Sequence, residues 1–195
     1  MGNNFQKIEE KHKDLIEIAI KYMSSINDNE HNIMHMMDVV NYTKELINFI
    51  NGNIDKEVCI IAAYWHDVGR TKLDIGHEKL SAEMLKENMK ELNYELDFID
   101  KCYSAIEKHK WNMTPTTKEG LIVKDADKLS FLGKGRWKEC LRNNQKLDSI
   151  IELLPILRNE ILYFEESRKI YDRDIINLVE ILYSKILDTN LDTND

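Results

Sequence analysis

The segment VCIIAAYWHDVGR, residues 58–70, determines how the rest of the chain is interpreted. Eight apolar residues in a row end in a histidine and an aspartate, and a glycine and an arginine follow closely. A run of this length fits either a buried strand or a helix that is buried on every side. An N-cap residue at Asp55, two alanines inside the run and a helix stop at Gly69 favour the helix. We therefore predict a buried central helix over residues 56–66.

The His66-Asp67 pair at the end of this helix needs a physical explanation. A buried, ionised carboxylate is very costly unless it is paired, hydrogen-bonded or bound to a metal. Considered alone, the pair is explained by a mutual hydrogen bond or by an ion pair with Arg70 or Lys72. The polar residues elsewhere in the chain decide between this explanation and a metal site.

Composition and charge limit the class of protein. A chain of 195 residues with only 7 glycines and 2 prolines suits one all-helical domain with a substantial core. The net charge of −8 argues against a general nucleic-acid-binding surface, although it does not exclude an anionic substrate in one pocket.

The cysteines and the apolar segments indicate the compartment. Cys59, Cys102 and Cys140 are odd in number and far apart, so we expect reduced core residues rather than a disulfide framework. The polar N-terminus is unlike a signal peptide, and no apolar run approaches the length of a membrane span. We therefore expect a cytoplasmic protein.

Hydrophobic periodicity predicts helices along the whole chain. The predicted helices cover residues 5–26, 32–50, 56–66, a segment that opens at His77, 95–110 and 120–129. Two or three more amphipathic helices over residues 150–187, with Pro155 near the start of one, form a packing layer.

Polar residues that are able to bind a metal fall at the predicted helix ends. These residues are His35, His66, Asp67, His77, His109 and Asp127. Each has an ordinary explanation by itself, because a histidine suits a helix C-terminus and an aspartate can cap a neighbouring helix. Together, in a chain with 6 histidines, they fit convergence on one pocket better than a series of coincidences.

The ordered pattern resembles the HD-domain metal-dependent phosphohydrolase superfamily. Thirty residues separate His35 from His66, and fifty-nine separate Asp67 from Asp127. The resemblance covers residues 28–135, and its strongest pieces are residues 62–70 and 124–129. It implies an all-α, single-domain helical bundle over residues 1–195, with an HD-like core at 28–135 and a packing layer at 136–190.

The resemblance also implies a metal site. By position, His35, His66, Asp67 and Asp127 look like the four ligands of one divalent ion, and Asp67 is the implied catalytic residue. The motif favours His35 over His31 and, through the following Lys128-Leu129, favours Asp127 over Asp125. This chain departs from the family at Asp38, where the family has a cation or an amide.

Two further histidines extend the resemblance. His77 and His109 are similar to the extra ligands of two-metal family members, in which the aspartate of the His-Asp pair bridges the ions. The segment HKWNM at residues 109–113 lacks the Gly-Tyr-Pro ending of the cyclic-dinucleotide branch. Mixed nitrogen and oxygen ligands suit Mn²⁺, Fe²⁺, Co²⁺, Ni²⁺ or Zn²⁺, one or two per chain, better than Mg²⁺.

These features predict a phosphohydrolase. The substrate is expected to be a phosphate ester or anhydride of a small metabolite, a nucleotide above all, with no DNA, RNA or membrane as partner. Arg70, Lys72, Lys128 and Arg136 are candidates to bind the phosphate, the alternative for each being a solvated surface charge. The alternative function is a non-catalytic HD-like module that senses a metal or a nucleotide. A third alternative is a helical interaction protein without a metal.

Overall fold

The computed structural model describes residues 2–26, 31–133 and 147–191. Within these ranges the regular structure consists of helices and contains no strand. The helices are α1 (Gly2–Lys11), α2 (Lys13–Ser24), α3 (Ile33–Phe49), α4 (Lys56–Trp65), α5 (His77–Glu91), α6 (Leu96–Ile106), α7 (Lys118–Leu129), α8 (Leu147–Ile156) and α9 (Glu165–Leu191). This arrangement confirms the predicted all-α class.

The central helix α4 is buried along its length, as the sequence predicts. Every residue from Val58 to Trp65 is buried, and the Asp55 carboxylate accepts a hydrogen bond from the Val58 amide at 3.3 Å. Helices α3, α6 and α7 pack around α4 and cover it. Because α4 is enclosed in this way, the His66-Asp67 pair that follows it is also inside the molecule.

The first predicted helix is wrong in one respect, because the chain forms two helices separated at His12. The backbone at His12 leaves the helical region, with φ −110° and ψ 22°. Its ring is only 2% exposed and lies between the Tyr94 hydroxyl at 2.9 Å and Glu57 Oε2 at 3.1 Å. The imidazole is thus held by two distant elements, and the helix bends to place it there.

The end of α6 also differs from the prediction. The helix stops at Ile106 rather than near residue 110, and His109 lies in the turn that follows. The Nδ1–H of His109 donates to the Ile106 carbonyl at 2.8 Å, so the side chain satisfies a carbonyl of the last turn. This bond ends the helix and fixes the ring.

The C-terminal helices have other boundaries than expected. Pro155 is the penultimate residue of α8, not an early one, and a π-helical turn follows at Leu157–Ile161. The Leu162 amide closes this turn by donating to the Leu157 carbonyl at 3.0 Å. Helix α9 continues to Leu191, beyond the predicted end at residue 187.

Two further features of the fold are the cysteine thiols and the apolar character of the helices. Cys59 and Cys102 are buried free thiols, and burial raises the pKa of each, whereas Cys140 lies outside the described residues. None of the helices in the described ranges combines the length and the apolar character that crossing a bilayer requires.

Candidate metal centre

Five helix ends or turns bring six polar side chains into one buried cluster. His35 comes from the first turn of α3, His66 and Asp67 follow α4, and His77 opens α5. His109 follows α6, and Asp127 comes from the last turn of α7. Each of the six residues is at most 8% exposed. We call this cluster the His-Asp centre.

One half of the His-Asp centre surrounds the Nε2 atom of His35. This atom lies 3.1 Å from His66 Nε2, 3.4 Å from Asp127 Oδ1 and 3.4 Å from Asp67 Oδ2. His35, His66 and Asp127 each offer one ligand atom, and these atoms lie within 4.8 Å of one another.

The other half surrounds the second oxygen of Asp67. Asp67 Oδ1 lies 3.1 Å from His77 Nε2 and 3.5 Å from His109 Nε2, and these three residues form a second group of ligand type. Asp67 therefore turns one oxygen to each half of the centre. A carboxylate in this position is able to bridge two ions.

Backbone carbonyls fix the tautomer of three of the histidines. The Nδ1 atoms of His66, His77 and His109 lie 2.7–2.8 Å from carbonyl oxygens three residues earlier in the chain. A carbonyl only accepts, so each Nδ1 carries a hydrogen, and the neutral form of each ring presents the lone pair of Nε2 to the centre. Orientation of a ligand histidine through its second nitrogen is usual at metal sites.

Ser130 fixes the fourth histidine, His35. The Ser130 hydroxyl donates to the Asp127 carbonyl at 2.6 Å, so its oxygen is left to accept from His35 Nδ1–H at 3.0 Å. Serine gives no metal-site signal by itself, and the sequence did not single it out. Its spacing of three residues after Asp127 places both on the same side of the chain.

In the resulting arrangement, atoms that can only accept a hydrogen bond face one another. His35 Nε2 and His66 Nε2 are 3.1 Å apart with no hydrogen between them in these tautomers, and Asp67 Oδ1 faces His77 Nε2 in the same way. Burial lowers the pKa of His66 to about 3, despite the nearby carboxylates, so this ring is neutral near pH 7. A shared cation relieves the repulsion, and the donor set fits a divalent transition metal.

Two cations balance the two carboxylates. Burial raises the pKa of a carboxyl group, but the Lys128 ammonium outweighs the burial of Asp127 and holds its pKa below the ordinary value. Arg70 Nε lies 2.9 Å from Asp67 Oδ2, and Lys128 Nζ contacts Asp127 Oδ2. The centre is thus close to neutral before an ion binds.

A cavity of about 380 Å³ opens from the centre. It is lined by His31, Asp67, Arg70, Asp74, Ile75, His77, His109, Lys110, Trp111, Asp127, Lys128 and Phe131. Two larger cavities, of about 850 and 530 Å³, lie elsewhere, and neither is lined by a residue of the His-Asp centre. We place the site in the smaller cavity. Of these three cavities, it is the one whose lining contains residues of the His-Asp centre together with cations and aromatic rings.

The candidate phosphate-binding residues divide into three groups. Arg70 and Lys128 line the cavity, whereas Lys72 is exposed and is not among its lining residues. Arg136 lies outside the described residues. Lys110, which the sequence did not single out as a candidate, joins the lining at the turn after His109.

The structure separates the two aspartates of α7. Asp125 is fully buried and accepts hydrogen bonds from the Tyr163 and Phe164 amides at 2.9–3.0 Å, just before α9 begins. It therefore anchors the C-terminal helix to the core. Asp127, two residues later, belongs to the His-Asp centre.

Comparison with known proteins identifies a family over the segment that contains all six residues of the His-Asp centre. The model of the HD domain family matches residues 32–132. Ribonuclease Y from two strains of Ureaplasma parvum serovar 3 is 32% identical over 119 residues, which are 60% of this chain but 23% of the relative. The crystal structure of a predicted HD superfamily hydrolase from an uncultured Thermotogales bacterium superposes with a TM-score of 0.69 and 22% identity, over 95% of this chain and 98% of the other. At this identity the likeness establishes the fold.

Proposed function

Because the chain belongs to the HD-domain family, we propose that it is a metal-dependent phosphohydrolase of small phosphorylated metabolites, nucleotides in particular. The position of the Asp67 carboxylate is the observation that supports the proposal most strongly. Each of its oxygens faces a separate group of histidines whose Nε2 lone pairs point inward.

The donor set indicates which residues would hold the ions. His35, His66, Asp127 and Asp67 Oδ2 would hold one, and His77, His109 and Asp67 Oδ1 the other. When bound at such sites, divalent ions acidify water and neutralise charge on phosphoryl oxygens. Hydrolysis then joins the oxygen of water to phosphorus, breaks the bond to the leaving oxygen and transfers a proton to that oxygen.

The cations of the cavity are placed to bind the phosphate. The Arg70 side chain is 18% exposed, and its Nε lies against Asp67 Oδ2 while the residue lines the cavity. A guanidinium in this position is able to orient a phosphoryl group by charge-assisted hydrogen bonds. Lys128 balances Asp127 and adds positive charge to the same wall, so we assign phosphate binding to Arg70 and Lys128.

A small substrate is favoured over RNA. The ribonuclease Y relatives bear the name of an RNA-cleaving enzyme, but the chain spans less than a quarter of their length. The net charge of −8 and the cavity of about 380 Å³ suit a metabolite better than a polymer, since extended nucleic-acid surfaces are usually basic.

A phosphate-release panel tests the proposal. Protein loaded with Mn²⁺ is incubated with nucleoside monophosphates, nucleoside triphosphates, sugar phosphates and a short RNA, and Asp67→Asn is the test variant. We expect turnover of a small substrate, and loss of at least 100-fold of it in D67N, because the variant loses a charged ligand of both ions. Asp97→Asn, an 82% exposed carboxylate on α6, is the matched control. Equal turnover by D67N and wild type contradicts the proposal.

A further inference from the structure

The part of the cavity that contains neither ligands nor cations is mainly apolar. Ile75, Trp111 and Phe131 supply its apolar surface, and His31 and Asp74 are its polar residues. The rings of Trp111 and Phe131 meet edge to face, with centroids 6.3 Å apart and an interplanar angle of 68°. Lys128 Nζ lies 5.7 Å from the centroid of the Trp111 ring, so this apolar wall begins beside the proposed phosphate site.

Ile75 is unusual for an isoleucine because 86% of its surface is exposed. It contributes little to the core, yet it lines the same cavity as Trp111. The residues around Ile75 are held in place: His77 Nδ1 donates to the Asp74 carbonyl at 2.7 Å, and Gly76 takes a positive φ of 85° to begin α5. The loop therefore presents an apolar side chain at the cavity without packing it.

We propose that Trp111 and Ile75 bind the planar base of a nucleotide whose phosphate lies at the His-Asp centre. This inference rests on the proposed hydrolysis and names its specificity-determining residues. A planar ring has a π-face that matches tryptophan and aliphatic surface. A bare sugar would require several hydrogen-bonding partners. Apart from the ligands and the cations, the lining side chains in the described ranges that can form hydrogen bonds are His31, Asp74 and the indole N–H of Trp111.

The test compares two substrates that differ only in the base. Adenosine 5′-monophosphate and ribose 5-phosphate carry the same sugar and phosphate. We expect Trp111→Ala to lower kcat/KM for the nucleotide roughly 5- to 150-fold, through KM, as for the loss of one stacked base. Turnover of ribose 5-phosphate should stay within about twofold. Trp111→Phe should restore most of the nucleotide activity, because phenylalanine keeps a ring.

Phe49→Ala is the matched control. Phe49 is also an exposed aromatic residue, at 54%, but it lies at the far end of α3 from His35. An equal loss for both substrates in W111A, or no loss for either, overturns the base-binding assignment while the hydrolase proposal stands.

A binding measurement tests this inference separately from the hydrolase proposal. Calorimetric titration of wild type and W111A with the same two compounds, in the presence of Mn²⁺, reports the subsite without turnover. Nucleotide binding that W111A weakens, in a protein that hydrolyses no compound of the phosphate-release panel, supports the subsite and overturns the hydrolase. Binding of neither compound overturns the subsite.

Discussion

The Nε2 atoms of His35 and His66 lie 3.1 Å apart, and both present a lone pair to the other. The hydrogens of both rings sit on Nδ1, where Ser130 and the Ala63 carbonyl accept them. A cation between or beside these atoms replaces a repulsive contact with two attractive ones. Metal binding should therefore be coupled to the stability of the fold.

The first prediction is that divalent metal stabilises the protein. At a free Mn²⁺ concentration about 100 times the dissociation constant, the folded state gains about 2.7 kcal/mol, which raises the melting temperature by roughly 5–10 °C in a chain of this size. Differential scanning fluorimetry with and without a chelator measures the change. His35→Asn should remove most of it, and the absence of any shift with Mn²⁺, Fe²⁺, Co²⁺, Ni²⁺ and Zn²⁺ would argue against the site.

The second prediction concerns the number of ions. His77→Asn and His109→Asn each remove a ligand of one half of the centre only, so calorimetric titration of the metal-free variants should find one strong equivalent of Mn²⁺ where wild type binds two. His31→Asn is the matched control, because His31 lines the cavity but belongs to neither group of ligands. Two strong equivalents in both H77N and H109N would show that these histidines hold no ion, and one equivalent in wild type would mean that the second half binds none.

The third prediction is that Ser130 acts as a positioning residue. Ser130→Ala removes the acceptor of His35 Nδ1–H, and the affinity for the first ion should fall about 10- to 100-fold while the fold is retained. Thr43→Val is the control, since Thr43 is on the same helix as His35 and its buried hydroxyl has no hydrogen-bond partner within the described part of the chain. Equal metal affinities of S130A and wild type would show that packing alone orients the ring.

The fourth prediction is a loss of stability of the metal-free protein in mild acid. The pKa of His66 is about 3 in the folded state and about 6.5 in the unfolded chain. Between these values the unfolded chain binds one more proton, so the free energy of unfolding falls as the pH falls below 6.5, by up to about 1.4 kcal/mol per pH unit for this group. The same direction holds for His12, whose pKa burial lowers.

Urea unfolding at pH 7.5, 6.5 and 5.5 checks this pH dependence. His66→Gln should unfold with a shallower dependence on pH, because it removes the group that takes up the proton. A free energy of unfolding that stays constant from pH 7.5 to 5.5 is incompatible with a neutral, buried His66.

The features that follow from short-range patterns were predictable from the sequence. Eight consecutive apolar residues after an N-cap residue are most stable in a helix that other helices surround. This pattern therefore predicted both the buried helix α4 and the burial of the His66-Asp67 pair that follows it. The HD-domain resemblance rested on spacing along the chain, and the family match at residues 32–132 confirms it.

The features that were missed depend on contacts between distant segments. The hydrophobic period runs unbroken through residues 11–13, so the bend at His12 could be seen only with Glu57 and Tyr94 in place. Lys72 and Arg70 look equivalent in the sequence. A 3-10 turn at Val68–Thr71 brings Arg70 back to Asp67 and leaves Lys72 beyond the turn.

Metal content per chain is the decisive measurement for the His-Asp centre. The wild-type protein is purified without a metal-chelating column, and elemental mass spectrometry determines manganese, iron, cobalt, nickel and zinc. We predict close to two equivalents of these metals per chain, as isolated or after loading and desalting. If the protein contains none and binds none on addition, the six side chains of the His-Asp centre are structural, and the proposed chemistry is contradicted.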